Sequence, residues 1–431
     1  MNLVGYDFHS TGGPQAVSWP PYRHPAIPRF AAAFAEAGVP PRLDINARGQ
    51  LGHSVIQTTA AGGERWSTYR GYLQPALGRP NLRAITYATV TEVLFHHDQG
   101  LPPKPRASGV KFRDAAGQVR VVRARREVVL TAGALHTPQI LILSGIGPAQ
   151  DLQALNIPVV SDLPVGRGLQ DHPGPSGMAF DCTPPLCHVD WEHRRQDLQD
   201  YGRHRGGPLS SASLLQLTAF LRTTPEPPRG PRPAEQPDLQ IVLDGTVVSD
   251  DGTVCLDSDE WRMNRISMQS VALHPRSRGS VHINSSDPLG PPLVRLGYFT
   301  DDADHDLSVV VAGLRLALRM EGPLRKRGLA LSRDPRLAPA CTHLAFGSDE
   351  HLRCLARTTT YTTWHFVGTC RMGAVVDTRL LVRGVRGLRV ADASVIPTLT
   401  SGNTNAPTIM VAERAADFIK QDHRELYRAS A

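Results

Sequence analysis

The chain has 431 residues, 41% of them hydrophobic and 20% charged, a globular composition that implies two or three packed domains. Its 38 glycines and 36 prolines call for many turns, but no repeat period or low-complexity block is present, which excludes collagen, solenoid and coiled-coil architectures. The formal charge of +7 comes from 47 basic residues, of which only four are lysines, and the arginines are spread along the whole chain; without a basic stripe no nucleic-acid partner is expected. The longest apolar stretches, such as Ile140 to Leu143 and Val309 to Ala312, fall far short of the roughly 18 residues of a membrane helix, so no membrane span is expected. The opening residues carry no basic-then-apolar leader pattern, and nothing in the sequence assigns a compartment. The six cysteines (182, 187, 255, 341, 354 and 370) form no Cys-x-x-Cys pair, so no metal site is expected; Cys182 and Cys187 could close a small disulfide loop.

In chain order, Thr86 to Phe95 reads as a strand, followed by a turn-rich stretch to Pro105. Gly109 to Arg113 and Val119 to Ala124 then complete a β-meander. Glu127 to Thr131 is an apolar run of the buried-strand type. It leads through the small residues Ala132, Gly133 and Ala134 into a helix. Thr137 is placed to cap that helix, Pro138 suits its first position, and Gly145 ends it. Small residues at such a turn let a ligand approach the backbone, and a helix start offers N–H groups to an anion.

Past Pro173 the sequence turns proline-rich, and Pro225 to Pro237 reads as an irregular surface segment. Ile266 to Leu273 and Ser280 to Ile283 read as antiparallel strands, and Asp304 to Arg319 has helical spacing. Near the end, Leu388 to Ala391 is a short strand leading to Asp392-Ala393-Ser394. Pro407 to Ile419 is a helix preceded by Asn403 and Asn405 as a capping pair. His96 and His97 sit at a hairpin end with no matching ligand pair.

Four ordered motifs among these pieces resemble the glucose-methanol-choline (GMC) family of FAD-dependent alcohol oxidoreductases, above all its choline-dehydrogenase-like and glucose-dehydrogenase-like members. Gly133-Ala-Leu-His-Thr-Pro-Gln-Ile-Leu-Ile-Leu-Ser-Gly-Ile-Gly147 resembles the family's second signature, and Leu163 to His172 follows as expected. Trp364 to Gly373 resembles the catalytic-histidine segment, and Leu388 to Pro397 with Ser401 to Thr408 resembles the closing flavin segment. The likeness runs from about Tyr6 to Ile419.

The resemblance implies flavin-dependent oxidation of a CH–OH donor by hydride transfer to FAD. The donor would be a small alcohol or sugar, and a quinone or oxygen would be the electron acceptor. Such chemistry needs a base for the hydroxyl proton and an oriented C–H bond. The resemblance assigns the base to His365 and the alcohol-binding partner to Asn403, where some relatives carry a second histidine. It also assigns cofactor contacts to Val90, Gly133, Ala134, Asp392, Ala393, Asn403 and Asn405. His172 and His274 match structural positions of the family. Phe366 stands where a proline or small residue is usual, and Gly168 where an asparagine is usual.

Flavin binding of this type also uses a Gly-x-Gly-x-x-Gly turn with an acidic residue about 20 positions further on. The sequence contains no such turn. The expectation is therefore a carboxy-terminal portion of a longer family member, holding FAD weakly as it stands; a noncatalytic, truncated homologue acting as a binding or interaction protein is the alternative. The implied fold is mixed α/β (α+β), an incomplete FAD-binding Rossmann-like domain interleaved with a sheet-based substrate domain. On this reading residues 1–75 open the substrate domain and 76–178 belong to the FAD domain. Residues 179–370 complete the substrate domain, with the family's C-terminal region beginning near 270; 371–419 close the FAD domain, and 420–431 are a tail.

Overall fold

A computed structural model describes residues 8–47, 49–97, 104–176, 178–182, 186, 191–212, 216–223, 236–244, 247–248, 254–255 and 265–424. The chain divides into two compact units, each assembled from separated stretches. The first comprises Met1–Ala84, Pro173–Leu273 and Asp304–Thr362, the second Ile85–His172, His274–Ala303 and Thr363–Ala431. These boundaries differ from those expected from sequence: 76–84 and 173–178 fall in the first unit, 274–303 and 363–370 in the second. Hydrogen bonding gives the reason. Gly279–His282 does not pair with the strand before it but with Arg167–Leu169 on one side and Leu293–Arg295 on the other. Residues 366–370 run beside 166–170, where Gln170 and Val367 exchange both backbone hydrogen bonds.

The first unit is built on a six-stranded antiparallel sheet in the order Gly52–Val55, Leu217–Leu221, Leu239–Asp244, Arg265–Ala272, Ala179–Cys182, Leu329–Leu331. Seven consecutive residues of Arg265–Ala272 are buried, so both of its faces are covered. The helix His305–Arg325 packs on it, and Gly313 sets the approach: a Cβ there would lie 2.5 Å from Ser270 Oγ. The helix Ile27–Glu36 buries Phe30 and Phe34, and Phe30 meets Phe180 edge-on at 5.6 Å. Cys341 and Cys354 form a disulfide. Cys182 is also disulfide-bonded, but Cys187, its expected partner, lies outside the described residues, as does most of the irregular segment around 225–237.

In the second unit the meander forms as Thr89–His97, Pro105–Arg113 and Val119–Arg123. The short strand Val128–Leu130 pairs in parallel with Leu388–Val390, residue for residue. This pairing sets the two strand-turn-helix pieces side by side although they are remote in sequence. Their helices, Gly133–Leu143 and Asn405–Asp422, contribute to a core that includes Leu141, Leu388, Val390 and Phe418. Arg389 points from the middle of the pair and is 1% exposed. Its Nε donates to Glu127 Oε2 at 3.0 Å and its Nη2 to Asp422 Oδ2 at 2.9 Å, while Nη1 bonds the carbonyl of Arg379. The cation therefore ties the strand pair to the end of the last helix. Arg389→Ala leaves the half-buried Glu127 without its main counter-charge and removes the buried cation from the strand pair, and should cost about 3 kcal/mol in urea unfolding.

Candidate functional site

The site grows from the two turns that follow the parallel pair. Gly133 has φ +80°, a backbone state that favours glycine, and it starts its helix at once. The helix thus begins a turn earlier than Thr137 and Pro138 suggest, and both lie inside it. Thr137 Oγ1 accepts from the N–H of Ala132 at 3.0 Å and donates to Asp392 Oδ2 at 2.5 Å. Pro138 has no N–H to give to the carbonyl four residues back. That carbonyl, on Ala134, instead accepts from Thr369 Oγ1 at 2.7 Å.

Asp392 is 4% exposed, and both of its carboxyl oxygens are engaged. Oδ2 accepts from Thr137 and from the N–H of Gly133 (2.9 Å), and Oδ1 from the N–H (2.8 Å) and hydroxyl (2.5 Å) of Ser394. Its side chain is thus spent on joining the two turns, whereas Ala134 and Ala393 present small surfaces beyond it.

His365 follows Trp364, a bulky residue at φ +62°. That conformation is strained for an L-residue. Hydrogen bonds on either side hold it: Thr363 Oγ1 donates to the carbonyl of His172 at 3.0 Å, and the N–H of His365 donates to Asp171 Oδ1 at 2.9 Å. Asp171 Oδ2 accepts from the Tyr298 hydroxyl at 2.5 Å. On the ring itself, Nδ1 lies 2.9 Å from His172 Nδ1 and 3.0 Å from Thr363 Oγ1, and Nε2 lies 3.2 Å from Asn403 Nδ2. The His172 ring is fully buried and stands perpendicular to that of His365.

His365, Asn403, Asn405, Ala134 and Ala393 line one cavity of about 470 Å³, together with Thr363, Trp364, Phe366, Thr404 and Thr408. The structure brings these five predicted site residues together, with Gly133 and Asp392 directly behind two of them. Val90 is not among the lining residues; it packs against the hydrophobic core, pairing with Phe112 in the meander. Asn403 and Asn405 are not the expected cap. The helix starts at Asn405 with Thr404 in the capping position and no side-chain cap bond, and Thr404, Asn405 and Thr408 of its first turn line the cavity. Because His365 Nε2 and Asn403 Nδ2 bond each other, an alcohol oxygen would sit over the pair rather than between them.

Sequence reasoning missed Thr363 and Tyr298, and it read His172 as merely structural. The signal for Asp171 and His172 was their presence in the Leu163–His172 motif, but their contact with His365 is visible only in three dimensions. Gly168 has φ +76°, a conformation that asparagine, next after glycine, also tolerates, so the substitution there keeps the turn. Cys370, the free cysteine of the histidine segment, is fully buried, and burial pushes its thiol up. Among the described residues no group of three potential metal ligands occurs, and no helix is long and apolar enough to cross a membrane.

Burial lowers the pKa of His365 to about 4, against an ordinary value of 6.5. The folded state therefore holds the ring neutral where the unfolded chain has begun to take up a proton. The associated stability is complete above about pH 6.5 and is lost as pH falls from there through about 4. Histidine NMR titration should find the His365 midpoint near 4; a midpoint at 6.5 or above would show that burial does not govern this ring.

The GMC oxidoreductase family matches this chain twice, over residues 8–174 and over residues 275–412. The chain is 34% identical to a glucose dehydrogenase [FAD, quinone] of Drosophila pseudoobscura pseudoobscura, with 98% of this chain and 66% of that protein covered. It is 33% identical to an oxygen-dependent choline dehydrogenase of Burkholderia pseudomallei (strain K96243), with 99% and 72% covered. The crystal structure of a formate oxidase superposes with a TM-score of 0.82 at 24% identity over 97% of this chain and 74% of its own, a likeness of fold. The chain thus spans 66% of the length of the glucose dehydrogenase.

Proposed function

The chain belongs to the GMC oxidoreductase family, whose cofactor is FAD, and on that premise we propose that it serves the oxidation of a CH–OH donor with His365 as general base. The observation that carries this reading is the meeting of His365 Nε2 and Asn403 Nδ2, 3.2 Å apart, in a cavity backed by two small-residue turns. The substrate is a small alcohol or sugar. A quinone or oxygen is the final electron acceptor, in keeping with the names of the glucose and choline dehydrogenases it resembles.

The donor set fits the ring-bearing end of FAD. Ala134 and Ala393 leave room for a flat group, nothing stands within 4 Å of a Cβ built on Gly133, and the start of the helix Asn405–Asp422 offers N–H groups and positive dipole to an electron-rich edge. Contacts to the rest of the cofactor are proposed for the backbone around Gly133 and Asp392 and for Val90. On the same reading the second compact unit is the FAD-binding one and the first the substrate-binding one. Bound there, FAD would supply the acceptor for the hydride that leaves the alcohol carbon.

The chain's own residues do the rest. Asn403 orients the alcohol oxygen through its amide, which does not titrate in the physiological range. His365 Nε2 takes the hydroxyl proton. Asp171, through the backbone of His365, and Thr363 keep the ring aimed at the cavity. Phe366 meets Trp364 edge-on at 6.0 Å and narrows the space beside the base.

The test is anaerobic mixing of the protein, supplied with excess FAD, with a panel of primary alcohols, aldoses and choline while the visible flavin absorbance is followed. One of them should bleach it, and His365→Ala should slow the bleaching by roughly 10²–10⁴-fold, the usual contribution of a general base. An unchanged rate in His365→Ala, or no bleaching by any of the panel, would overturn the reading.

A further inference from the structure

We infer that His172 is a positioning residue that fixes the tautomer of His365, holding the proton on Nδ1 and leaving Nε2 as the accepting nitrogen on the Asn403 side of the ring. The inference rests on the reading of His365 as the base but is argued from a separate set of contacts. A carbonyl oxygen can only accept, so the 3.1 Å contact between His172 Nε2 and the carbonyl of Thr400 requires a proton on that nitrogen. A neutral His172 then has a bare Nδ1. Charging this fully buried ring next to a second imidazole would be costly, so the neutral form prevails. The bare Nδ1 faces His365 Nδ1 at 2.9 Å, and two bare nitrogens cannot bond; the proton between them must be that of His365.

Thr363 gives the same answer independently. Its hydroxyl proton goes to the carbonyl of His172, which leaves Oγ1 lone pairs toward His365 Nδ1 at 3.0 Å. Two acceptors thus face one N–H. On the far side of the ring, the amide of Asn403 turned with Nδ2 toward Nε2 is the orientation that a bare Nε2 requires. The order of donation runs from His365 Nδ1 to His172 and from His172 Nε2 to Thr400, and it ends on a backbone carbonyl that cannot titrate. In the opposite tautomer Nε2 would carry a proton and could not receive one from the alcohol.

The experiment is a two-bond 1H–15N correlation of the uniformly 15N-labelled chain, with the His365 signals identified by their loss in His365→Gln. Wild type should show His365 protonated on Nδ1. His172→Phe, which keeps the ring volume and removes the nitrogen acceptor while Thr363 Oγ1 remains, should raise the share of the Nε2–H form of His365. His172→Asn, which can offer its amide oxygen near the place of Nδ1, should restore the Nδ1–H form, a rescue that bulk packing alone would not produce. In the FAD-loaded protein His172→Phe should slow flavin reduction by as much as the roughly 10²–10⁴-fold that a general base contributes, with little change in the alcohol concentration needed for half-saturation. An Nε2–H His365 in wild type overturns the inference whether or not any variant folds, and so does an unchanged Nδ1–H form in His172→Phe. Unchanged flavin reduction in His365→Ala would instead sink the proposed function while the tautomer measurement still decided the role of His172.

Discussion

The site depends on the two carboxyl oxygens of Asp392. Three-residue strands are too short to hold two distant chain segments in register by themselves, and the Val128–Leu130 and Leu388–Val390 pair has only this length. Asp392 extends the join past the strand ends by taking donors from the Gly133 turn on one oxygen and from Ser394 on the other. Hydrogen bonds to a charged group contribute about 1.5–3 kcal/mol each, and a donor left unmatched in the interior costs about 1–3 kcal/mol. An asparagine would be a poor substitute. It offers one accepting oxygen, and its NH2 would face either the Gly133 and Thr137 donors or those of Ser394. The same carboxyl group thus accounts for the burial of Asp392, for the early start of the helix at Gly133, and for the meeting of Ala134 and Ala393 at one cavity.

A second layer of the same logic supports His365. The chain reverses at Trp364 in a conformation that costs on the order of 1–3 kcal/mol, and the bonds from Thr363 to His172 and from His365 to Asp171 hold the reversal on both sides. Gln170, just before them, donates to the carbonyl of Pro397 and accepts from the N–H of Leu399. The Leu169–His172 stretch therefore fastens the segment of His365 to the segment that precedes Asn403. The histidine and the asparagine approach each other because both are tied to this third strip of chain.

Where the signal was local, the sequence was readable. The meander, the apolar strand before Gly133, the helix end at Gly145 and the strand before Asp392 follow from periodicity and turn chemistry, and the motifs singled out His365 and Asn403. The misreadings share a cause. Thr137-Pro138 has the composition of a helix start, but Gly133 opens the helix earlier and the carbonyl that Pro138 leaves unpaired is satisfied by Thr369, a residue remote in sequence. Asn403 and Asn405 have the composition of a cap, yet Asn403 bonds His365. Gly279–His282 has the pattern of a strand that could pair with its predecessor, and it pairs with Arg167–Leu169 instead. In each case a distant partner outweighed a local preference, and one sequence contains no record of which distant partner is present.

On the proposed reading of His365 as the base, its low proton affinity bears on how it would work. Above about pH 4 the ring is neutral, so the form able to accept a proton is always the abundant one. Its weakness is in driving force, since a base is most effective when its pKa lies near the working pH. Burial lowers the affinity because an imidazolium in this pocket is poorly solvated, and the neutral amide of Asn403 supplies no counter-charge. Proton uptake would therefore become favourable only as negative charge gathered on an alcohol oxygen placed over the pair. That favours a transition state with developing alkoxide character over the resting ground state, which is the condition under which binding energy speeds a reaction.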